Sequence, residues 1–201
     1  AARAAARFTK TNVKEWRAYN MQAKAAAWPI DSPRHKILLL PGSGNEIWGH
    51  PDWASKWPEY TAAYDAVMNH LDLSPADVLL RCHPNWGENI GKNDGNRPEH
   101  YYTTWALARG IKVIPSRDTT STLSLIEQCD AVVLASGSAA LEAGLLGKQV
   151  ISTAPSFYQS ANFRSDASSP ERLTHLRLHS TLEVSEQAAQ SRHIRQMTLR
   201  F

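Results

Sequence analysis

A chain of 201 residues with 42% hydrophobic and 20% charged residues has the composition of a globular domain with a sizeable core, which excludes disordered and fibrous classes. No apolar run approaches the roughly 20 residues that span a bilayer, and the opening "AARAAARFTK" lacks the apolar centre of a secretory signal. The two cysteines, Cys82 and Cys129, show neither metal-ligand spacing nor a disulfide framework, so buried free thiols in a cytoplasmic protein are expected.

The net charge of +3 is uneven: residues 1–36 carry eight basic residues and two acids, a net of +6. Residues 1–27 predict an Ala-rich helix that ends near Trp28-Pro29. On such a helix Arg3, Arg7, Lys10, Lys14, Arg17 and Lys24 form one basic stripe. The stripe reads either as a solvated face or as a surface that meets anionic lipid or an acidic partner. It has no interleaved stacking aromatics, so nucleic acid is not an expected partner.

After the turn "DSPRHK" the pattern changes to short apolar runs alternating with helix-like stretches. Strands are expected at Ile37–Leu40, Val78–Cys82, Lys112–Ile114, Ala131–Ala135 and Val150–Ser152. None of these runs alternates strictly, which suits parallel strands buried on both faces. Helices are expected at about 54–71, 98–109, 121–128 and 138–146. The alternation predicts a doubly wound α/β fold, a Rossmann-like parallel sheet with helices on both faces. The chain divides into three regions: the basic helix and linker at 1–36, the sheet domain at 37–163, and a loop with a C-terminal helix at 164–201. Within them, 159–171 reads as a loop or linker and 182–199 as the last helix.

In such sheets ligands bind beyond the carboxyl ends of the strands, so the loops there carry the candidates. The first strand leads into "PGSGNEIWGH", where Gly42, Ser43 and Gly44 allow a plain tight turn or a phosphate cradle. No Gly-Lys-Ser/Thr comes after it, so this is not a P-loop. The second leads into "RCHPNWGEN". There His83 leaves the strand, Pro84 fixes the chain behind it, Asn85 adds a donor and Trp86 an apolar wall. His50, His70 and His100 lack this placement and read as surface residues. After the third strand, Asp118, Thr119, Thr120 and Ser121 suit the N-cap of the next helix. Their hydroxyls also suit a ligand. The fourth leads into "SGSAALEAGLLGKQVIS". Here Ser136, Gly137, Ser138 and Ala139 open a helix whose N–H groups favour an anion. Glu142, one turn in, suits the two hydroxyls of a ribose. Lys148 reads as a helix C-terminal residue or a further phosphate contact. Together these loops predict a nucleotide site with no metal and no cofactor beyond the nucleotide-bearing substrate.

"RCHPNWGEN", the run from Tyr101 to Ile151 and "SFYQSANF" resemble the capsule and surface polysaccharide biosynthesis proteins, which look like GT-B glycosyltransferases, some using CMP-Kdo. The resemblance covers roughly residues 37–163. It implies that His83 and Pro84 contact the donor phosphate, that Ser136–Ser138 form a phosphate turn, and that Glu142 meets the nucleotide-sugar. "LLLPGSGNEI" and "ASGSAALEAGLLGKQVI" also look like lipid A disaccharide synthase, a UDP-sugar transferase. That family has Arg after Pro-Gly-Ser, where Gly44 stands here. His-Pro and Ser-rich turns occur as well in transferases of a phosphopolyol from a CDP carrier. GT-B enzymes have two Rossmann-like domains, and this length accommodates one, the donor-binding half. The implied function is transfer from a CMP- or UDP-linked sugar to a saccharide or lipid-linked acceptor, with His83 stabilising the leaving phosphate. The chain is then expected in the cytoplasm, at the membrane's inner face if the basic helix binds lipid. A nucleotide-binding module without activity is the reading from another class.

Overall fold

The structure, a computed structural model, describes residues 22–31, 34–42, 52, 55–87, 95–161, 163–179, 183 and 186. In chain order the elements are β1 (Ile37–Leu39), α1 (Tyr60–His70), β2 (Val78–Arg81), α2 (Pro84–Gly87), α3 (Asn96–Leu107), β3 (Lys112–Ile114), α4 (Thr122–Gln128), β4 (Ala131–Leu134), α5 (Ala139–Leu145), β5 (Gln149–Ser152), β6 (Arg164–Asp166) and α6 (Pro170–Leu173).

The strands form one parallel sheet in the order β3-β2-β1-β4-β5-β6. All residues of β1, β2, β4 and β5 are buried, which fits apolar runs covered on both faces; the polar exceptions are Arg81 at the end of β2 and Gln149 and Ser152 at the ends of β5. Successive side chains go to opposite faces. Ile37, Leu39, Val78, Leu80, Ala131 and Val133 pack with Tyr64, Val67 and Met68 of α1, Tyr102, Trp105 and Ala106 of α3, and Leu173 of α6. Leu38, Leu79, Val132, Leu134 and Val150 pack with Leu125 and Ile126 of α4 and Ala140 and Ala143 of α5. Each fully buried Leu, Ile or Val stabilises the fold by roughly 1.5–3 kcal/mol. The predicted doubly wound fold is the one observed.

Two glycines and one proline set the local limits. Pro58 precedes α1, and the residue before a proline is driven out of the helical region. The helix therefore starts at Tyr60, after an extended Glu59, and not at the expected residue 54. A Cβ on Gly144 would lie 2.7 Å from Cγ of Phe163, so α5 reaches that ring only because the position is glycine. Gly147 ends α5 in the left-handed region at φ 68°. Lys148 N–H then donates to Ala143 O at 2.9 Å and Gly147 N–H to Gly144 O at 3.2 Å. This is a Schellman stop, and it accounts for the Gly-Lys pair; Lys148 is the residue just past the helix end.

Two further expectations are corrected, and a third falls mostly outside the described residues. Only residue 22 of the described N-terminal residues is helical, and residues 23–28 are not. Lys24 N–H donates to Thr119 O, its carbonyl accepts from Ser121 N–H, and Ala26 and Trp28 bond to Ser124 and Gln128 of α4. These bonds override the helix propensity of the alanines and remove Lys24 from the stripe. Arg3 to Arg17 lie outside the described residues. The stretch 159–171 is not all loop: Arg164–Asp166 pairs with β5 as an edge strand, past the boundary expected at residue 163. Of the expected helix 182–199, residues 183 and 186 are helical and the others lie outside the described residues.

Candidate functional site

The sheet order places β1 between β2 and β4. The chain runs outward from β1 through β2 to β3, then returns to β4 on the other side. The reversal makes β1 and β4 the switch point, the place at the carboxyl ends where open α/β sheets bind their ligands. The predicted loops therefore stand side by side: His83 after β2, Gly42 after β1, Ser136 after β4. From β2 to β4 is two strand spacings, roughly 10 Å, the scale of a nucleotide.

At the switch point the backbones touch. A Cβ on Gly42 would lie 3.3 Å from the carbonyl oxygen of Ser136. Ser136 is buried, and Gly137 holds φ 127°, a conformation that favours glycine. Ser43 and Gly44 lie outside the described residues. Ser138 is the N-cap of α5 with no side-chain cap bond. Because α5 has seven residues, its dipole is small; the case for an anion here rests on the glycine turn. Ala139 begins the helix, half-buried. Glu142 lies in the first turn and is 5% exposed, so the carboxylate is enclosed and is not an ordinary surface group.

On the other side, Pro84 starts α2, where its missing N–H costs nothing. Asn85 N–H donates to Nδ1 of His83 at 3.2 Å. An accepting Nδ1 puts the proton of the neutral ring on Nε2. The contact comes from the Asn85 backbone. Trp86 is no ligand wall: it is buried and stacks on Tyr102 at 5.7 Å and 9°. Among the described residues, Phe157, after β5, is an exposed aromatic. Its neighbour Tyr158 is buried, with its hydroxyl 3.5 Å from Ala135 O, the residue before Ser136. Ser121 caps α4: its hydroxyl accepts from Ser124 N–H at 3.3 Å.

Two residues outside the predicted set organise the rim. Arg81, 1% exposed, and Glu99, which accepts from Ser116 N–H at 2.8 Å and Ser116 Oγ–H at 2.5 Å, both bind the loop after β3. An arginine closing an apolar strand is the one signal the sequence offers for them. His70 and His100 are exposed, as expected; His50 lies outside the described residues. Both cysteines are buried and free. Burial pushes the Cys82 thiol up to about 11 and the Cys129 thiol to about 12, so neither is a nucleophile at neutral pH. No helix among the described residues is long and apolar enough to cross a membrane.

The fold is that of a Rossmann-like α/β domain, with the candidate loops gathered at its switch point. Among solved structures, the chain is similar to the KpsC beta Kdo 2,4 transferase of Thermosulfurimonas dismutans, with TM-score 0.50 and 19% identity over 92% of this chain and 54% of that one. It also matches the KpsC beta Kdo 2,7 transferase of the same organism, with TM-score 0.48 and 16% identity over 78% of this chain and 46% of that one. At 19% identity the likeness to the 2,4 transferase bears on the fold alone. The chain spans about half the length of the structures it matches. No family model and no curated protein matches it.

Proposed function

We propose that this chain is the donor-binding domain of a GT-B-type glycosyltransferase that moves a sugar from a CMP- or UDP-linked donor in capsule or surface polysaccharide synthesis. The observation that carries the reading is the placement of the His83, Gly42 and Ser136 loops on three neighbouring strands around the switch point. The likeness in fold to a Kdo transferase supports it. The glycine turns at Gly42 and Gly137 admit the donor phosphates to the backbone, with Ser136 and Ser138 adjoining. His83 Nε2–H stabilises the charge that grows on the leaving phosphate as the anomeric carbon is displaced. Glu142 accepts from the ribose hydroxyls once the loops part around the nucleoside.

The acceptor in this reading is a saccharide or lipid-linked sugar. The basic residues of 1–36 bring the chain to an anionic membrane surface on the cytoplasmic side. A thermal-shift series with CMP, UDP, CDP and GDP tests the site. A ligand at 100 times its Kd stabilises the fold by about 2.7 kcal/mol, and no shift with any of them at millimolar concentration overturns the reading. Because the chain spans about half of the structures it matches, a binding module without transfer activity is the second reading. Hydrolysis of a nucleotide-sugar distinguishes an enzyme from a module, since only the former turns donor over.

A further inference from the structure

We propose that Arg81 is a positioning residue of the site: its guanidinium locks the loop that carries His83 to the loop after β3, so that the two move as one wall. The inference rests on the donor-binding reading above for its effect on ligand, but the locking stands on geometry alone.

Arg81 is the last residue of β2 and is paired with Ile114 of β3. Every other residue of β2 is Val or Leu, and an apolar side chain would suffice for a buried strand. Arginine here removes a permanent charge from water at a cost that needs compensation. The compensation is specific. Nη1–H donates to the carbonyl of Cys82 at 3.1 Å and also to that of Pro115. Nη2–H donates to the carbonyl of Asp118 at 3.1 Å. Cys82 is the residue directly before His83. Pro115 and Asp118 bracket the Ser116-Arg117 turn. One planar fork therefore holds both loops, and a lysine ammonium has no such shape.

Three further contacts place the loops face to face. Cys82 N–H donates to Ile114 O at 2.9 Å, continuing the ladder past the strand ends. A Cβ on Gly87, at the end of α2, would lie 2.8 Å from Cγ of Arg117. Glu99 binds both the N–H and the hydroxyl of Ser116. Glu99 holds the turn from outside, and glycine at position 87 lets α2 approach it closely. Arg81 is the group that ties its two ends to the backbone beside His83.

The test is amide hydrogen exchange in the full chain, combined with calorimetric titration of CMP and UDP, on wild type, Arg81→Lys and Arg81→Gln. In wild type, amides of 82–87 and 116–121 are expected to open with the same denaturant dependence, which needs no variant to fold. In both variants the two segments lose protection together, while β4 and β5 keep theirs. Nucleotide affinity falls about tenfold, the weight of a lost charged hydrogen bond. Independent opening of the segments in wild type overturns the proposal. So do variants with a lower melting temperature, a uniform rise in exchange and unchanged affinity, since that is a purely structural arginine. If wild type binds neither nucleotide, the donor-binding reading fails, and the exchange pattern still decides the locking.

Discussion

Gly42 and Ser136 meet across the switch point so closely that a Cβ on the glycine would stand 3.3 Å from the serine carbonyl. The loops after β1 and β4 therefore share one backbone seam. Gly42→Ala forces a small separation, with a cost of about 1 kcal/mol in stability. If the seam is the floor of the phosphate site, nucleotide affinity drops several-fold while the fold persists. Calorimetry beside a urea melt reads both, and an unchanged affinity removes Gly42 from the site.

His83→Ala deletes the Nε2–H donor and is expected to weaken nucleotide binding about tenfold, given roughly 1.5–3 kcal/mol for a hydrogen bond to a charged group. His83→Asn keeps an N–H donor and falls between. If alanine and asparagine bind as wild type does, the ring serves only to hold the Asn85 N–H.

Glu142 is enclosed, so the informative change is Glu142→Gln, which keeps volume and removes charge. The melting temperature is expected to move little and nucleotide affinity to fall about tenfold. A large loss of stability with intact affinity would assign the carboxylate to the interior instead.

Gly144→Ala tests the packing of α5 on Phe163. Alanine gains about 1 kcal/mol of helix propensity, but a Cβ 2.7 Å from the ring overpacks the contact by roughly 1–3 kcal/mol. Net destabilisation is expected in urea. Phe163→Leu in the same chain relieves part of it, and strict additivity of the two changes speaks against the contact.

Asp77, which is 1% exposed, contributes to the acid limb of stability. Burial raises its carboxyl. Hydrogen bonds from Ser74 Oγ–H, Ser74 N–H and His35 N–H, with the Arg34 guanidinium beside it, outweigh burial and hold it below its ordinary range. The folded value lies under the unfolded one, so the contribution is full above about pH 4 and is lost as pH falls through the folded value. Urea melts at pH 7 and pH 3 are expected to show a smaller acid loss in Asp77→Asn than in wild type; parallel losses would point to other carboxylates.

Most of the sheet is legible in the amino-acid sequence. β3 falls at the expected residues and the other long runs within a residue at either end, because the middle of a strand buried on both faces is apolar. β6 escapes because Arg-Ser-Asp at a half-exposed edge has no such run. The candidate loops are legible from their position after strands. Their adjacency is not, since it depends on the order in which the strands pair. Trp86 reads as a ligand wall in sequence because its stacking partner, Tyr102, sits on a different helix. Arg81 and Glu99 stay hidden for the same reason: their partners are brought to them by the fold.

Gln149 sets how far the chain can be shortened. Both ends of its buried amide are engaged by residues later in the chain: Nε2–H donates to Ser165 Oγ and Arg177 O at 2.8 Å each, and Oε1 accepts from His179 N–H at 3.0 Å. A chain stopped before residue 177 would fold with part of that amide orphaned, at a cost of about 1–3 kcal/mol. The usable C-terminal cut for any autonomous fragment thus lies beyond His179.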